Sequence, residues 1–372
     1  MGKQSKVLPM AGCILAGLVV AALFGASAAS ASARATPHWM TAFQHRVDAA
    51  YAGRGLAVPA KGPKAQKGKH VWFVACRLEV RACAEMADGV REASAAIGWD
   101  LTVRDSKNDP TLASQHIRDA IAAKADGIAV AGVDCPMIKD ALQDAKAAHI
   151  PVVNMGNLEC QPALFTAHTT TVGKPWLDGI TQFAVKDRAA WAVVKTGGRM
   201  KAINVAVTDV GAIVMQDQAF RDAVAECPTC QIVDTISVPI RQYSQLGTML
   251  ADALQRHPEA NAVNMPGLSA EMKAAVEQSG RKDLTLIPQV CRPETIAMIR
   301  AGWNMQCTGV SLDWGGWMTV DLLNRLLAGQ RPDQLPRVGA GIEFVDAQHN
   351  LPKQDAWLPS FDFRKAYEKV WQ

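Results

Sequence analysis

Charge of one sign is scarce in this chain: 39 Lys and Arg stand against 35 Asp and Glu, a formal net charge of only +4. The clearest basic run, Lys61, Lys64, Lys67 and Lys69, sits in a Pro/Gly-rich stretch. Nucleic-acid binding needs a broader basic face, so no nucleic-acid partner is expected. Catalytic signatures are missing as well. There is no Gly-x-Ser-x-Gly elbow, no His-Glu-x-x-His pair, no Gly-x-x-x-x-Gly-Lys phosphate loop and no dinucleotide fingerprint after the first strand-like run. The eight histidines are scattered, and His116 and His149 fall on helical stretches where a packed or solvated ring is the usual case. The expectation is a protein that is not an enzyme, with no metal and no cofactor. Past the first two dozen residues, no stretch approaches the roughly 18 uninterrupted apolar residues of a spanning helix.

What is present is a composition of a folded chain, 49% hydrophobic and 20% charged, and a length of 372 residues that suggests two compact units plus extensions. The first residues follow the order of a secretory signal: Lys3 and Lys6, an apolar run over 7–24, then the small residues 29–33. A membrane anchor is the competing reading, but the run holds Pro9 and several glycines and dissolves into an Ala/Ser tract. Cys13 is a poor lipid anchor because most of the apolar run follows it. Residues 1–33 are therefore expected to be cleaved, leaving a periplasmic chain without membrane insertion.

Removing Cys13 leaves eight of the nine cysteines, an even number that points to disulfides in an exported chain. Sequence neighbours suggest Cys76 with Cys83, Cys135 with Cys160, Cys227 with Cys230, and Cys291 with Cys307, among 105 possible pairings. The Cys227-Pro228-Thr229-Cys230 pair has a rival reading as a redox centre. Such a motif normally follows a strand and opens a helix, whose N-terminus lowers the thiol pKa. Here a helical stretch precedes it and a strand-like run follows, which favours a staple.

Residues 34–69 read as one helix, 39–52, and a Gly/Pro/Lys linker. From residue 71, short apolar runs alternate with stretches of helical periodicity. Strands are expected at 71–75, 100–104, 127–131 and 151–154, with helices at 84–97, 112–124 and 137–148. The rhythm repeats with strands at 203–207, 232–237, 262–264 and 284–288, and helices at 215–226, 245–256, 270–278 and 295–301. Short, nearly all-apolar strands between helices signal parallel sheets covered on both faces. The fold class is α/β, with two doubly wound parallel-sheet lobes.

In open parallel sheets a ligand lies beyond the carboxyl ends of the strands. Those ends carry Arg77 and Glu79, Asp105, Asp134, Asn154 and Asn157, Asp209, Asn264, Gln289 and Arg292, and Asp313 with Trp314. Polar groups with an aromatic suit one small ligand in a cleft. A polar residue after a strand is more often a helix cap or turn residue, and Trp314 could simply pack on the sheet.

Four stretches carry a resemblance: Asp105-Ser106-Lys107-Asn108-Asp109-Pro110, Gln115-His116-Ile117 with Ala120-Ile121, Ala125 to Val130, and Ala145 to Val153. They resemble the first lobe of periplasmic binding proteins of type 1, the ribose- and galactose-binding group. The likeness continues more weakly through 218–224, 257–263 and 299–302, and so spans about 71–341. It implies two lobes joined by a three-segment hinge near 166–171, 309–313 and 341–345. The lobes would comprise 70–168 with 312–340, and 169–311 with 341–372. It further implies a monomer that takes a small, sugar-like molecule to the permease of an ABC transporter. The pattern departs from the sugar binders at the first loop, at Gly156-Asn157, at Gln216 four residues before Phe220, and at Pro266-Gly267. These departures point away from a simple hexose or pentose, toward an acid or an aromatic metabolite. A sensor accessory, an exported redox protein using Cys227 and Cys230, and an exported hydrolase are the rival readings.

Overall fold

The core strands of the first sheet show no inside-outside alternation, and the structure gives the reason: helices cover both faces. In this computed structural model, which describes residues 37–372, strands β1 (His70–Ala75), β3 (Gly127–Ala131) and β4 (Val152–Met155) are almost wholly buried. The expected leader, 1–33, and Cys13 lie outside the described residues. With β2 (Asp100–Asp105) and the short β5 (Ala167–His168), these strands form a parallel sheet in the order β2-β1-β3-β4-β5. Helices α2 (Arg81–Ile97), α3 (Pro110–Ala122) and α4 (Lys139–Ala147) connect the strands. The start of α3 is set locally. Asp109 accepts from the backbone N–H groups of Thr111 and Leu112, and Pro110 occupies the first helical position, where its missing N–H costs nothing. Gly98, in the left-handed region, ends α2.

Two very short strands, β6 (Thr170–Thr171) and β7 (Lys174–Pro175), lead into α5 (Trp176–Gly179), a π-helical stretch Ile180–Val185, and α6 (Lys186–Lys195). The second sheet follows, with β8 (Lys201–Val207), β9 (Gln231–Val238), β10 (Ala262–Asn264) and β11 (Thr285–Ile287) in the parallel order β9-β8-β10-β11. Its helices are α7 (Gly211–Ala225), α8 (Leu246–Arg256), α9 (Ala270–Gln278) and α10 (Pro293–Arg300). Each sheet thus sets its first strand one place in from an edge and reverses direction beside it. The ends of β1 and β3, and of β8 and β10, are the switch points where such sheets bind ligands.

Strand β12 (Cys307–Gly309) pairs antiparallel with β13 (Glu343–Val345), and between them the chain returns to the first lobe as α11 (Leu312–Leu327). Helix α11 lies against α2 with backbone nearly touching backbone. A Cβ on Gly316 would fall 2.4 Å from the backbone of Gly89 and Val90, and one on Gly89 would fall 2.1 Å from the carbonyl oxygen of Asp313. The last helix, α12 (Phe363–Val370), was expected with the second lobe. It packs instead on α11 and α2 of the first, where Phe363, Tyr367 and Trp371 join Trp314 and Trp317 in one aromatic cluster.

The N-terminal extension also crosses between lobes. Helix α1 (His38–Tyr51) buries Phe43, Val47 and Ala50 against Trp191 of α6 and the core of the second lobe. The chain then bridges to the hinge, Arg54 and Ile342 exchanging backbone hydrogen bonds of 2.8 and 2.9 Å. A Cβ on Gly341 would lie 2.1 Å from the Arg54 carbonyl oxygen, so only glycine admits this crossing. The linker beyond lies on the first lobe, where Asn324 accepts from the Gln66 N–H and Arg325 donates to the Lys61 carbonyl.

Disulfides join Cys76 to Cys83, Cys135 to Cys160, Cys227 to Cys230 and Cys291 to Cys307. Three of them tie loops at strand ends. The Cys227–Cys230 bridge sits after the C-terminus of α7 and before β9, so the α7 N-terminus is at the far end from either sulfur.

Candidate functional site

The second lobe carries a chain of buried and half-buried polar side chains at its switch point. Asn204 and Asn264 are direct partners across β8 and β10, and the Asn264 amide donates to Asn204 Oδ1 at 2.7 Å. Asn204 in turn donates to Asp217 at 2.6 Å, and Arg221 donates to the other Asp217 oxygen at 2.7 Å. Beside them Gln289 donates to Gln216 Oε1 at 2.8 Å. Of these groups Asn264, Asp217, Gln216 and Gln289 line two small adjoining cavities of about 10 and 30 Å³, which share Arg188, Gln216 and Gln289. Val290, Thr308 and Val310 bring the second cavity to the hinge.

Arg188 is the unusual member. It comes from the first turn of α6, next to the π-helical stretch, a distortion that often marks functional positions. It is only 3% exposed, and burial pushes its guanidinium down to about 10. No carboxylate compensates it, and its Nη1 has no hydrogen-bond partner among the described residues. Asn264 Oδ1 and Thr308 Oγ1 are likewise buried without a partner there. A buried donor or acceptor left unpaired costs roughly 1–3 kcal/mol, more for a charged group. Three such atoms around one recess mark a place where water or a ligand completes the hydrogen bonding.

Of the residues singled out from the sequence, the structure brings together Gln216, Asn264 and Gln289. Two others hold the lobes against each other. Arg292, at the start of α10, donates through Nη1 to both carboxylate oxygens of Glu85 on α2. Asp134 faces the N-terminus of α7: a Cβ on Gly211 would lie 2.6 Å from its Oδ2. A carboxylate there suits the positive end of a helix of 15 residues.

The remaining residues are placed differently. Arg77 and Glu79 are exposed on the first loop, Arg77 donating to the Lys107 carbonyl at 3.0 Å. Asn157 is 5% exposed and spent on structure: its Oδ1 accepts from Val133 N–H, its Nδ2 donates to the Val130 carbonyl, and its backbone exchanges two bonds with the Asn154 side chain. Asp209 accepts from Ile240 N–H at 2.7 Å and ties two loops. Asp313 is held by Ser311 and Arg364. Trp314, expected at a cleft wall, is fully buried inside the first lobe, stacked on Phe363 at 5.1 Å and edge-on to Phe361. The reason is that Asp313 and Trp314 begin a helix rather than a strand-end loop, and the helix turns the indole into the core.

Arg188 escaped the sequence reading because it lies inside a helix that packing carries to the cleft. Its signal was available: Lys186-Asp187-Arg188 interrupts the apolar run Ala184-Val185 and Ala189-Ala190-Trp191-Ala192-Val193-Val194. Larger cavities, about 200 and 460 Å³, lie along the outer strand β5. Their walls include Pro175, Lys174 and the Glu159–His168 ion pair at 3.0 Å; Glu159 Oε2 is buried without a hydrogen-bond partner, but that charge is met by His168, whereas Arg188 has no counter-ion among the described residues.

Solved structures with the same fold span most of the chain. An ABC sugar transporter subunit from Rhodobacter sphaeroides 2.4.1 superposes with a TM-score of 0.65 at 16% identity, covering 76% of this chain and 99% of its own. An ABC transporter solute-binding protein from Mycobacterium smegmatis, with bound glycerol, has a TM-score of 0.65 at 18% identity, covering 78% and 99%. A 5-methylthioribose transporter solute-binding protein from Thermotoga lettingae, in complex with 5-methylthioribose, has a TM-score of 0.64 at 17% identity, covering 78% and 89%. No curated protein matches the sequence. The family model described as "periplasmic binding protein domain" matches residues 68–331, well over half of the chain, and the protein belongs to that family.

Proposed function

We propose that the chain is an extracytoplasmic solute-binding protein that closes its two lobes on one small polar molecule and presents it, as a monomer, to the permease of an ABC transporter. The observation that carries the reading is the set of buried, unpartnered polar atoms on Arg188, Asn264 and Thr308. Arg188 and Asn264 line the recess at the switch point of one lobe and Thr308 borders it from the hinge, while Arg292–Glu85 and Asp134–Gly211 bring the other lobe against it. Capture needs no covalent step. A ligand that touches both lobes favours the closed arrangement by its differential affinity for that state. The structural neighbours supply a coarse ligand class, since their names record sugars and polyols, including alpha-D-tagatopyranose, allitol and D-allose. In this reading Gln216, Asn264 and Gln289 contact the solute, Asp134 and Arg292 report closure, and residues 1–33 are removed on export.

The test is a thermal-shift screen of the chain from residue 34 against sugars, polyols, sugar acids and amino acids, followed by calorimetry on the hits. A ligand at 100 times its Kd should stabilise by about 2.7 kcal/mol. A Gln289→Ala change should weaken that ligand at least tenfold while leaving the unliganded midpoint within a few degrees. Retention of full affinity by Gln289→Ala, or no hit in the whole panel, would overturn the reading.

A further inference from the structure

We propose that the solute is a polyhydroxylated carboxylate, a sugar acid rather than a neutral sugar, and that Arg188 receives its carboxylate. The inference rests on the solute-binding reading and specifies its ligand.

Three observations point the same way. First, Arg188 is a charged group that the fold leaves uncompensated. Its neighbour Asp187 is turned to Arg54 at 2.9 Å, and the nearby Asp217 is engaged by Arg221 and Asn204. A guanidinium removed from water without an anion is expensive, and a carboxylate delivered by the ligand would compensate it through paired charge-assisted hydrogen bonds. A neutral hydroxyl would satisfy one N–H and leave the charge.

Second, the hydrogen-bond chain fixes which way Asn264 points. Asp217 only accepts, so Asn204 must turn its amide nitrogen to Asp217 and its oxygen to Asn264. Asn264 must then donate to Asn204, which leaves its own Oδ1 as an unpartnered acceptor in the same cavity. A cation beside an acceptor is the complement of a carboxylate with a hydroxyl next to it.

Third, the size fits a head group. The two cavities around Arg188 measure about 10 and 30 Å³, where about 10–15 Å³ holds a single water. They suit one planar terminal group and not a pyranose ring. The carboxylate end would enter this recess, and the hydroxylated body would lie toward the lobe interface.

Calorimetry at pH 7 with matched pairs tests this: D-gluconate against D-glucitol, D-galactonate against galactitol, L-arabinonate against L-arabinitol, and D-glucuronate against D-glucose. At least one acid should bind about 30- to 100-fold tighter than its neutral partner, the value of one charged hydrogen-bond pair. Arg188→Gln should reduce that ratio to near unity, and Arg188→Lys should retain part of it. The unliganded Arg188→Gln protein should melt at or above the wild-type temperature, which an arginine with a structural role would not allow. Neutral members binding as tightly as the acids would overturn the proposal while leaving the solute-binding reading in place. So would an Arg188→Gln protein with unchanged acid preference. Failure of every compound in these pairs would overturn the sugar-acid proposal, and the solute-binding reading would fall with it only if the wider thermal-shift panel also gave no hit.

Discussion

Each lobe buries an Asp/Arg pair on one helix, and the two pairs are treated in opposite ways. On α11 of the first lobe, Arg325 and Asp321 are one turn apart and joined at 2.7 Å. Trp371 donates to the other Asp321 oxygen at 2.9 Å, and Arg325 reaches the Lys61 carbonyl at 2.7 Å. Every charge there is answered from within the protein, and the N-terminal linker and C-terminal helix are fastened by it. On α6 of the second lobe, Asp187 and Arg188 are adjacent and point apart. Asp187 takes Arg54, and Arg188 faces a recess with no partner among the described residues. The contrast separates charge used to hold a fold from charge held ready for something else. Burial alone would not separate them, because all four side chains are at most 5% exposed.

The sharpest way to break the contrast is to remove one member of each pair. Asp321→Ala leaves Arg325 buried without its carboxylate and should cost about 3–5 kcal/mol in urea unfolding. Arg188→Gln removes a charge that nothing compensates, and its unfolding midpoint should be unchanged or higher. Equal losses in the two variants would show that Arg188 is structural after all.

That a fold of this class lay in the sequence is plain from particular runs. Gly127 to Ala131 and Ala262 to Asn264 are short, apolar and bounded by helices, and they form strands over those residues. The helix over 270–278 also formed as read. Other elements were hidden by tertiary packing. Asp313-Trp314-Gly315-Gly316 looks like a loop until α2 presses against it, when Gly316 becomes the residue that lets two helix backbones meet. The N-terminal extension showed its helix but not the surface it covers, since that surface comes from Trp191 and Phe344, residues far along the chain. At the candidate site, position at a strand end was enough to point to Asn264 and Gln289, which border the recess. It did not distinguish them from Asn157 or Asp209, because residue type does not reveal whether a polar atom is already satisfied. Arg188 needed the three-dimensional arrangement.

A second test sharpens the comparison through pH. Burial pushes the Asp187 carboxyl up to about 6 from its ordinary 3.8, against the opposing pull of Arg54 and Arg46. The folded state therefore holds this proton more tightly than the unfolded chain does. Its contribution to stability is complete below about pH 3.8 and is lost as pH rises to about 6. The gap corresponds to about 3 kcal/mol at most. Asp187→Asn should flatten the pH dependence of unfolding between pH 4 and 6 and should be more stable than the wild type at pH 7. An unchanged slope in that window would mean that Arg54 and Arg46 offset the burial of this carboxylate in full.

The smallest effect concerns the charge pair that belongs to neither lobe alone. Glu85 is shared: Arg81 on the same helix donates to it at 3.0 Å, and Arg292 reaches it from across the lobe interface. Removing Arg292 therefore leaves Glu85 with a partner, so Arg292→Gln should not destabilise either lobe. What it should change is the balance between lobes in contact and lobes apart. Both side chains are partly exposed, at 20% and 29%, so the pair is worth about 0.5–1 kcal/mol at moderate salt. That is a factor of about two to five in the population of the closed form. Small-angle scattering of the unliganded protein should show a larger radius of gyration in Arg292→Gln than in the wild type. Raising the salt to 1 M, where screening acts within about 3 Å, should move the wild type the same way and leave the variant unmoved. If linkage holds, ligand affinity falls by that same factor and no more. A loss of a hundredfold would mean that Arg292 touches the solute, and the recess at Arg188 would then share its role as the anion-binding end of the cleft.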